Sequence, residues 1–366
     1  MDSDPHVHTF RSKALQRFAW ITVALVVLLI FFGGQVKSTN SGLSVPDWPN
    51  TYGHFMFSFP LDRMIGGIFW EHSHRMIASV VGLLTFALTI WVWRKEHRRW
   101  VKNLALAASV AVLVQGIFGG LTVLLYLPAW TSTVHGTLAQ TYFCMLLILA
   151  LVLSPRWQDT PKKLPDHNKA SVRTLALWTV GAIFVQLMLG AVMRHSEAGL
   201  VIPDFPMMYG SWIPPLSDES IAWANAELAR NGILSKMRLT EVTRWEMLLH
   251  LGHRFWALVV TVLAVWTSAR VFRYRPSMPE LRRPAVLLLS LLTVQVTLGI
   301  LAIYTEKQPS ITTFHVVTGA LTLGAALTLA VRSRHLLYQP EARPVNYPQF
   351  TASAVAQNPE SEEVIA

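Results

Sequence analysis

Eight long apolar runs divide the chain, and they constrain its fold more than any other feature. A helix needs about 20 apolar residues to cross the hydrocarbon core of a bilayer, and every run is long enough. Because 52% of the 366 residues are hydrophobic and only 14% are charged, the sequence predicts an all-α integral membrane protein with eight transmembrane helices. The predicted spans are residues 18–36, 65–93, 103–127, 132–154, 173–193, 247–269, 285–304 and 311–331.

The basic residues are distributed unevenly among the segments between these runs. If the N-terminus lies inside, 21 of the 31 Lys and Arg residues fall on the inner side, which is the asymmetry of cytoplasmic loops. We therefore expect both termini in the cytoplasm of a bacterium, with the chain in the inner membrane and its first span uncleaved. Residues 1–17 and 333–366 are expected to form cytoplasmic tails, the second one disordered.

The charge pattern also bears on partners. The net charge of +10 is split among short loops, so we expect the lipid bilayer as a partner and no nucleic acid. The single cysteine, Cys144, lies inside an apolar run. The sequence therefore offers neither a disulfide nor a covalent heme attachment of the CxxCH type.

The sequence contains an internal repeat. Residues 42–53 read GLSVPDWPNTYG and residues 199–210 read GLVIPDFPMMYG, with seven of twelve positions identical. Each copy precedes an apolar run that opens with a His-Arg pair, at residues 74–75 and 253–254. The offset between copies rises from 157 at the loops to 179 at these pairs, which places an insertion of 22 residues in the second loop.

This repeat predicts two tandem four-helix units, residues 18–155 and 173–332, joined by a cytoplasmic linker at 156–172. An even number of spans gives both units the same orientation. We therefore expect a pseudo-two-fold axis along the membrane normal. Within the insertion, residues 217–232 begin with Ser-Asp and end with Asn-Gly, which predicts a short surface helix.

Each repeat supplies two histidines near the outward ends of its even-numbered spans: His74 and His135 in the first, His253 and His315 in the second. At ~1.5 Å per residue, the members of a pair lie at nearly the same depth. Facing neutral imidazoles in a helical bundle bind heme iron from both sides. The alternative is structural packing against a neighbouring helix, but ionisable groups within spans are costly and usually functional. Recurrence of the pair favours heme ligation, and a zinc site is less favoured because no further ligands stand nearby.

The residues around the first histidine differ between the repeats. Glu71 precedes His74 by three residues and shares its helix face, whereas His250 stands at the equivalent position of the second repeat. A carboxylate in a low-dielectric site can hold or transfer a proton, or it can form an ion pair with Arg75. His72, one residue off that face, is interpreted as peripheral.

Arg75 and Arg254 each follow a candidate iron ligand. Two interpretations remain open for this pair. The guanidinium groups can bind the propionates of a heme, or they can extend to the polar interface of the membrane.

Together these features resemble the heme A synthase family, membrane enzymes that convert heme O to heme A for cytochrome oxidases. The resemblance rests on the GLSVPDWP and GLVIPDFP loops, the Glu71–Arg75 stretch, the second His-Arg pair at 253–254, and the two later histidines, His135 and His315. It covers about residues 18–332. The combination is specific, although no single motif is.

The resemblance implies one heme in each half. The N-terminal half would hold the substrate heme O, and later the product heme A, between His74 and His135 with Glu71 beside it. The C-terminal half would hold a heme b between His253 and His315 that passes electrons. The reaction oxidises a porphyrin methyl group to a formyl group by successive hydroxylations and loss of water.

The sequence departs from many family members in one respect. They carry two cysteines in the first outward loop, whereas this chain has Ser44 and Val45 there and no cysteine in the loop. A thiol-dependent step is therefore not expected, and the chain resembles a cysteine-free branch.

The alternative function is a diheme b-type membrane cytochrome that relays electrons from quinol, which accounts for the histidines but not for Glu71. The expected partners of the enzyme are a heme O supplier such as heme O synthase and cytochrome oxidase assembly factors. The sequence is also compatible with an oligomer.

Overall fold

The computed structural model describes residues 12–158, 163–166, 170–212 and 216–338. All eight predicted spans are confirmed there as helices long and apolar enough to cross a membrane. Most of the two expected tails, residues 1–11 and 339–366, and parts of the expected linker lie outside the described residues.

The helices of the first half follow one another with short connections. They are α1 (Lys13–Ser38), α2 (Gly66–Lys95), α3 (Arg99–Leu124), α4 (Ala129–Val152) and the short α5 (Pro155–Gln158). Two 3-10 turns, Met56–Ser58 and Leu61–Arg63, lie in the first loop.

The second half contains α6 (Val172–His195), α7 (Asp218–Arg230), α8 (Ile233–Met237), α9 (Arg244–Tyr274), α10 (Pro279–Tyr304) and α11 (Pro309–Leu336), with a 3-10 turn at Ala198–Leu200. Two residue pairs form a short parallel sheet, in which β1 (Leu164–Pro165) is paired with β2 (Leu337–Tyr338).

Local sequence signals set several helix ends. Ser217 caps α7, and its side chain accepts a hydrogen bond from the backbone N–H of Ser220, so the helix expected within 217–232 is confirmed. Thr243 and Glu246 form a capping box at the start of α9. Proline occupies the first turn of α10 and α11, where its missing N–H costs nothing.

The long helices form two closed rings of four. In the first ring α1 packs on α2, α2 on α3, α3 on α4, and α4 returns to α1; in the second, α6, α9, α10 and α11 repeat this order. The rings meet where α1 and α4 contact α6 and α11. The structure is consistent with the expected repeat, and the axis along the membrane normal stays a prediction.

Small residues and hydroxyl groups hold the helices together. A Cβ at Gly34 would lie 3.0 Å from Thr313, and one at Gly324 would lie 3.1 Å from Phe143, so glycine permits close approach of the halves at both places. Within the second ring, the hydroxyls of Thr179 and Thr267 are 2.8 Å apart. Such contacts matter in a membrane, where apolar burial does not drive one helix against another.

Candidate functional site

The four predicted iron ligands lie in the first three turns of α2, α4, α9 and α11. These turns are at the end of the molecule that carries the repeated loops 42–53 and 199–210, called the loop face below. His74 interacts electrostatically with His135, and His253 with His315. Because α2 and α4 belong to the first ring and α9 and α11 to the second, each ring contains one of the two expected pairs.

A glycine on the neighbouring helix packs against every one of these imidazoles. A Cβ would lie 2.9 Å from Cε1 of His74 if placed at Gly33, and 3.2 Å from Cε1 of His135 if placed at Gly119. In the second ring the corresponding distances are 3.0 Å from Gly190 to His253 and 3.1 Å from Gly299 to His315. A side chain at any of these positions would force the imidazole to shift. The same glycine cradle therefore positions the ring at all four sites.

Three of the four cradles also carry a glutamine one turn before the glycine. Gln115 donates from Nε2 to the backbone oxygen of His135 over 2.9 Å. Gln186 donates to the backbone oxygen of His253 over 3.0 Å. In the fourth cradle, that of His74, the equivalent position is Leu29.

The glutamine beside His315 also fixes the orientation of the ring. The Nδ1 of His315 is 3.1 Å from the backbone oxygen of Gln295. This is the kind of outer-shell hydrogen bond that assigns the proton to Nδ1 and leaves Nε2 as the ligating atom. The Gln295 side-chain nitrogen lies 3.3 Å from that Nε2, so an iron at this position would displace the amide.

This donor set fits heme. Each imidazole is partly accessible although it lies deep within its ring of helices, and the Nδ1 atoms of His74 and His135 are buried without a hydrogen bond. Within the described ranges no group of three or more His, Cys, Asp or Glu residues could hold a bare metal ion. Two facing imidazoles suffice for an iron whose other four ligands are porphyrin nitrogens.

The two repeated loops adopt the same hydrogen-bonded conformation. Asp47 accepts from the backbone N–H groups of Tyr52 (2.8 Å) and Gly53 (2.9 Å). Burial raises the pKa of Asp47, but these hydrogen bonds outweigh burial and hold the pKa below its ordinary value. In the second loop Asp204 accepts from Tyr209 and Gly210 in the same way, over 2.9 and 3.1 Å.

Arg75 fastens the first loop to α2. Its Nη1 donates to the backbone oxygens of Asp47 (2.6 Å) and Asn50 (3.1 Å), and its Nη2 donates to the backbone oxygen of Val45 (2.7 Å). The guanidinium group thus binds backbone carbonyls of the loop. Neither sequence interpretation, propionate binding or extension to the membrane interface, included this role. In the second repeat Arg254 does the same, donating to Ile202 over 2.8 Å.

Glu71 completes this attachment in the first repeat alone. Its Oε1 lies 2.5 Å from Nη2 of Arg75, and its Oε2 accepts from the backbone N–H of Val45 over 2.8 Å. The carboxylate is 3% exposed. The ion pair that the sequence left as an alternative is therefore present, one turn from His74.

The second repeat replaces this carboxylate by an imidazole. The Nε of Arg254 donates to Nε2 of His250 over 3.1 Å. His250 is buried, and its Nδ1 has no hydrogen-bond partner. The two repeats thus share the arginine and the loop but differ in the group that the arginine contacts.

Sequence reasoning missed three parts of the site. His72, which was interpreted as peripheral to the ligand set, is buried, and its Nδ1 lies 3.0 Å from the hydroxyl of Thr51 in the first loop. The loop-binding role of the arginines depends on backbone conformation, which the motif alone does not reveal. The glycine cradles did leave a signal: a glutamine precedes the glycine by four residues at 115–119, 186–190 and 295–299.

The eight apolar helices and the two glycine-cradled histidine pairs define a multi-pass membrane protein with two sites that fit heme. The family model described as cytochrome oxidase assembly protein matches residues 16–327, and the chain belongs to this family.

Several similar proteins are named heme A synthase. The chain is 26% identical over 357 residues to the heme A synthase of Caulobacter sp. (strain K31), an alignment that covers 88% of this chain and 97% of that protein. It is 28% identical to the heme A synthase of Erythrobacter litoralis over 84% of this chain and 94% of the relative. A third heme A synthase, from Shouchella clausii, is 29% identical over 57% of this chain and 68% of its own length.

Proposed function

We propose that this chain is a heme A synthase, a heme-dependent membrane oxidoreductase that oxidises a methyl group of heme O to the formyl group of heme A. The observation that carries the proposal is the pair of glycine-cradled histidine sites, of which only one has a buried carboxylate beside it. Family membership and the names of the relatives support the same activity. The alternative, a cytochrome that only relays electrons, would explain both histidine pairs. It would not explain why only the first pair has a buried carboxylate beside it.

In this proposal each half of the protein binds a different heme. His74 and His135 hold the iron of the substrate heme, and His253 and His315 hold a resident heme b. The resident heme, when bound, supplies one-electron chemistry. The protein contributes the cradles that fix the imidazoles and the loops that Arg75 and Arg254 attach to α2 and α9. Arg75 and Arg254 belong to the proposed cofactor-binding set through the loops that they hold.

Glu71 is the proposed catalytic group of the first half. Its contacts with Arg75 and Val45 hold the carboxylate in one position, one turn from His74. A carboxylate held in this way can accept a proton released at the neighbouring substrate. Because it also fastens the loop, the catalytic test must be separated from a test of stability. Breaking a buried ion pair costs about 3–5 kcal/mol.

We further infer the cellular setting. Basic residues are concentrated where α2 meets α3 and where α9 meets α10, which supports a cytoplasmic location for both termini and an outward loop face. They are Arg94, Lys95, Arg98, Arg99 and Lys102 at the first turn, and Arg270, Arg273, Arg275, Arg282 and Arg283 at the second. The bacterial relatives support the inner membrane. A heme O supplier such as heme O synthase, and cytochrome oxidase assembly factors, are the proposed partners.

The test is coexpression with a source of heme O, followed by extraction and chromatography of the hemes. We expect formyl-bearing heme A only in cells that contain this chain. Chain present in the membrane with heme O left unchanged would overturn the proposal. A Glu71→Asp variant serves as the matched comparison for Glu71, because it keeps the negative charge but shortens the side chain and so moves the carboxylate.

A further inference from the structure

A basic residue lies one turn beyond the cradle glycine on the first helix of each half. Lys37 follows Gly33 by four residues on α1, and Arg194 follows Gly190 by four residues on α6. Residues four apart share a helix face. Each cation therefore lies at the loop-face edge of a histidine pair, directly beyond the glycine that contacts a proposed iron ligand.

Arg194 is held in place by the other half of the molecule. Its Nη2 donates to the backbone oxygen of Gly34 over 2.8 Å and to the hydroxyl of Ser38 over 2.7 Å, both on α1. The guanidinium also interacts electrostatically with His315. Arg194 thus lies one turn beyond Gly190, which packs against His253, and on a helix of the ring that also contains His315.

Most of the hydrogen-bonding capacity of Arg194 is unused. A guanidinium has five N–H donors, and the Nη1 and Nε atoms of Arg194 make no hydrogen bond to any residue that the structure describes. A buried charged group is costly unless its donors have partners, and Glu197, the anion that interacts electrostatically with Arg194, is already paired with two lysines. The position therefore fits a carboxylate ligand.

The charges around Arg194 favour an anion as well. Lys37 and Lys307 both form ion pairs with Glu197, and this carboxylate is the only acidic partner that the described residues give the two lysines. Burial raises the pKa of Glu197, but the two lysines outweigh burial and hold the pKa below its ordinary value. Arg194, Lys37 and Lys307 carry three positive charges, and Glu197 carries one negative charge. The net charge of +2 would balance the two negative charges of the propionates of one heme.

Arg75 and Arg254, which the sequence suggested as propionate ligands, already bind other groups. Both terminal nitrogens of Arg75 donate to loop carbonyls or to Glu71, and those of Arg254 donate to the backbone oxygens of Met207 and Ile202. We propose that Arg194 binds a propionate carboxylate of the heme held between His253 and His315. The inference rests on the proposed function, because it requires a heme in the second half.

The experiment compares the wild type with Arg194→Gln and Arg194→Lys. Protein produced without heme is titrated in detergent with protoheme and with protoheme dimethyl ester, whose propionates are uncharged. Hydrogen bonds to charged groups contribute about 1.5–3 kcal/mol, so Arg194→Gln should weaken protoheme binding roughly ten- to hundred-fold. Arg194→Lys should retain part of the affinity, and the ester should bind equally to wild type and variant.

A second measurement separates charge from packing. In the protein purified with its heme, Arg194→Gln should lower the midpoint potential of heme b, because loss of a nearby positive charge favours the ferric state. Arg230→Gln is the control, since Arg230 is exposed on α7 and pairs with Glu227, and it should leave the potential unchanged.

Two results would overturn the inference. One is equal weakening of protoheme and its ester by Arg194→Gln, which assigns Arg194 to packing between the halves. The other is no change in either affinity or potential. A wild-type protein that binds no heme at all would instead overturn the proposed function.

Discussion

Substitution of Gly190 by alanine tests the cradle in the second half. A Cβ at this position would lie 3.0 Å from Cε1 of His253, whereas nonbonded carbon atoms rest about 3.5–4.0 Å apart. The imidazole must therefore shift by a few tenths of an ångström, which approaches the misplacement of about 0.5 Å that a ligand set tolerates. We expect Gly190→Ala to lower the heme b content and shift its spectrum, and Gly190→Leu to abolish heme binding in this half.

Gly181 on the same helix is the matched control, because a Cβ there would meet nothing within 4 Å. Alanine in place of a helical glycine stabilises the helix by about 1 kcal/mol, so neither alanine variant should be poorly folded. Heme per protein, from the absorption of the pyridine complex, and the thermal unfolding temperature are measured for both. Equal heme content and identical spectra in Gly190→Ala and Gly181→Ala would refute the cradle.

Three further predictions follow from the site. Glu71→Gln should abolish heme A formation while purified protein keeps its heme b, measured by chromatography of extracted hemes; heme A formed at the wild-type rate would remove Glu71 from the catalytic role. His253→Met and His315→Met should each alter the visible spectrum of heme b without preventing membrane insertion, and an unchanged spectrum would remove that residue from the ligand set. Because the pKa of Glu197 is lowered on folding, its contribution to stability should be complete above about pH 4.3 and lost as the pH falls through the lowered value. Thermal unfolding at a series of pH values should show this loss, and Glu197→Gln should remove that part of the acid sensitivity.

The sequence predicted the eight helices because a membrane span is specified by a single local property, a sufficiently long apolar run. It predicted the surface helix at Asp218–Arg230 because the cap at Ser217 and the stop at Asn231 are local signals too. The histidine pairs were also predictable, since the repeat places two histidines at matched depth in each half.

The contacts around the histidines could not be predicted in the same way. Arg75 binds backbone carbonyls of a loop, and those oxygens converge only after the loop has folded around Asp47. The position of Arg194 between the halves depends on how the two rings pack against each other, which no local pattern specifies. Tertiary packing, rather than propensity, decides these contacts.

The measurement that tests the division of labour most directly is heme analysis of purified variants that each lack one histidine pair. The proteins are produced with a heme O source, and their extracted hemes are separated and identified by mass. Loss of His74 and His135 should leave heme b bound while heme O and heme A disappear. Loss of His253 and His315 should remove heme b and stop heme A formation while heme O stays bound. If heme O or heme A remained bound after loss of the first pair, the assignment of the substrate to the N-terminal half would be contradicted.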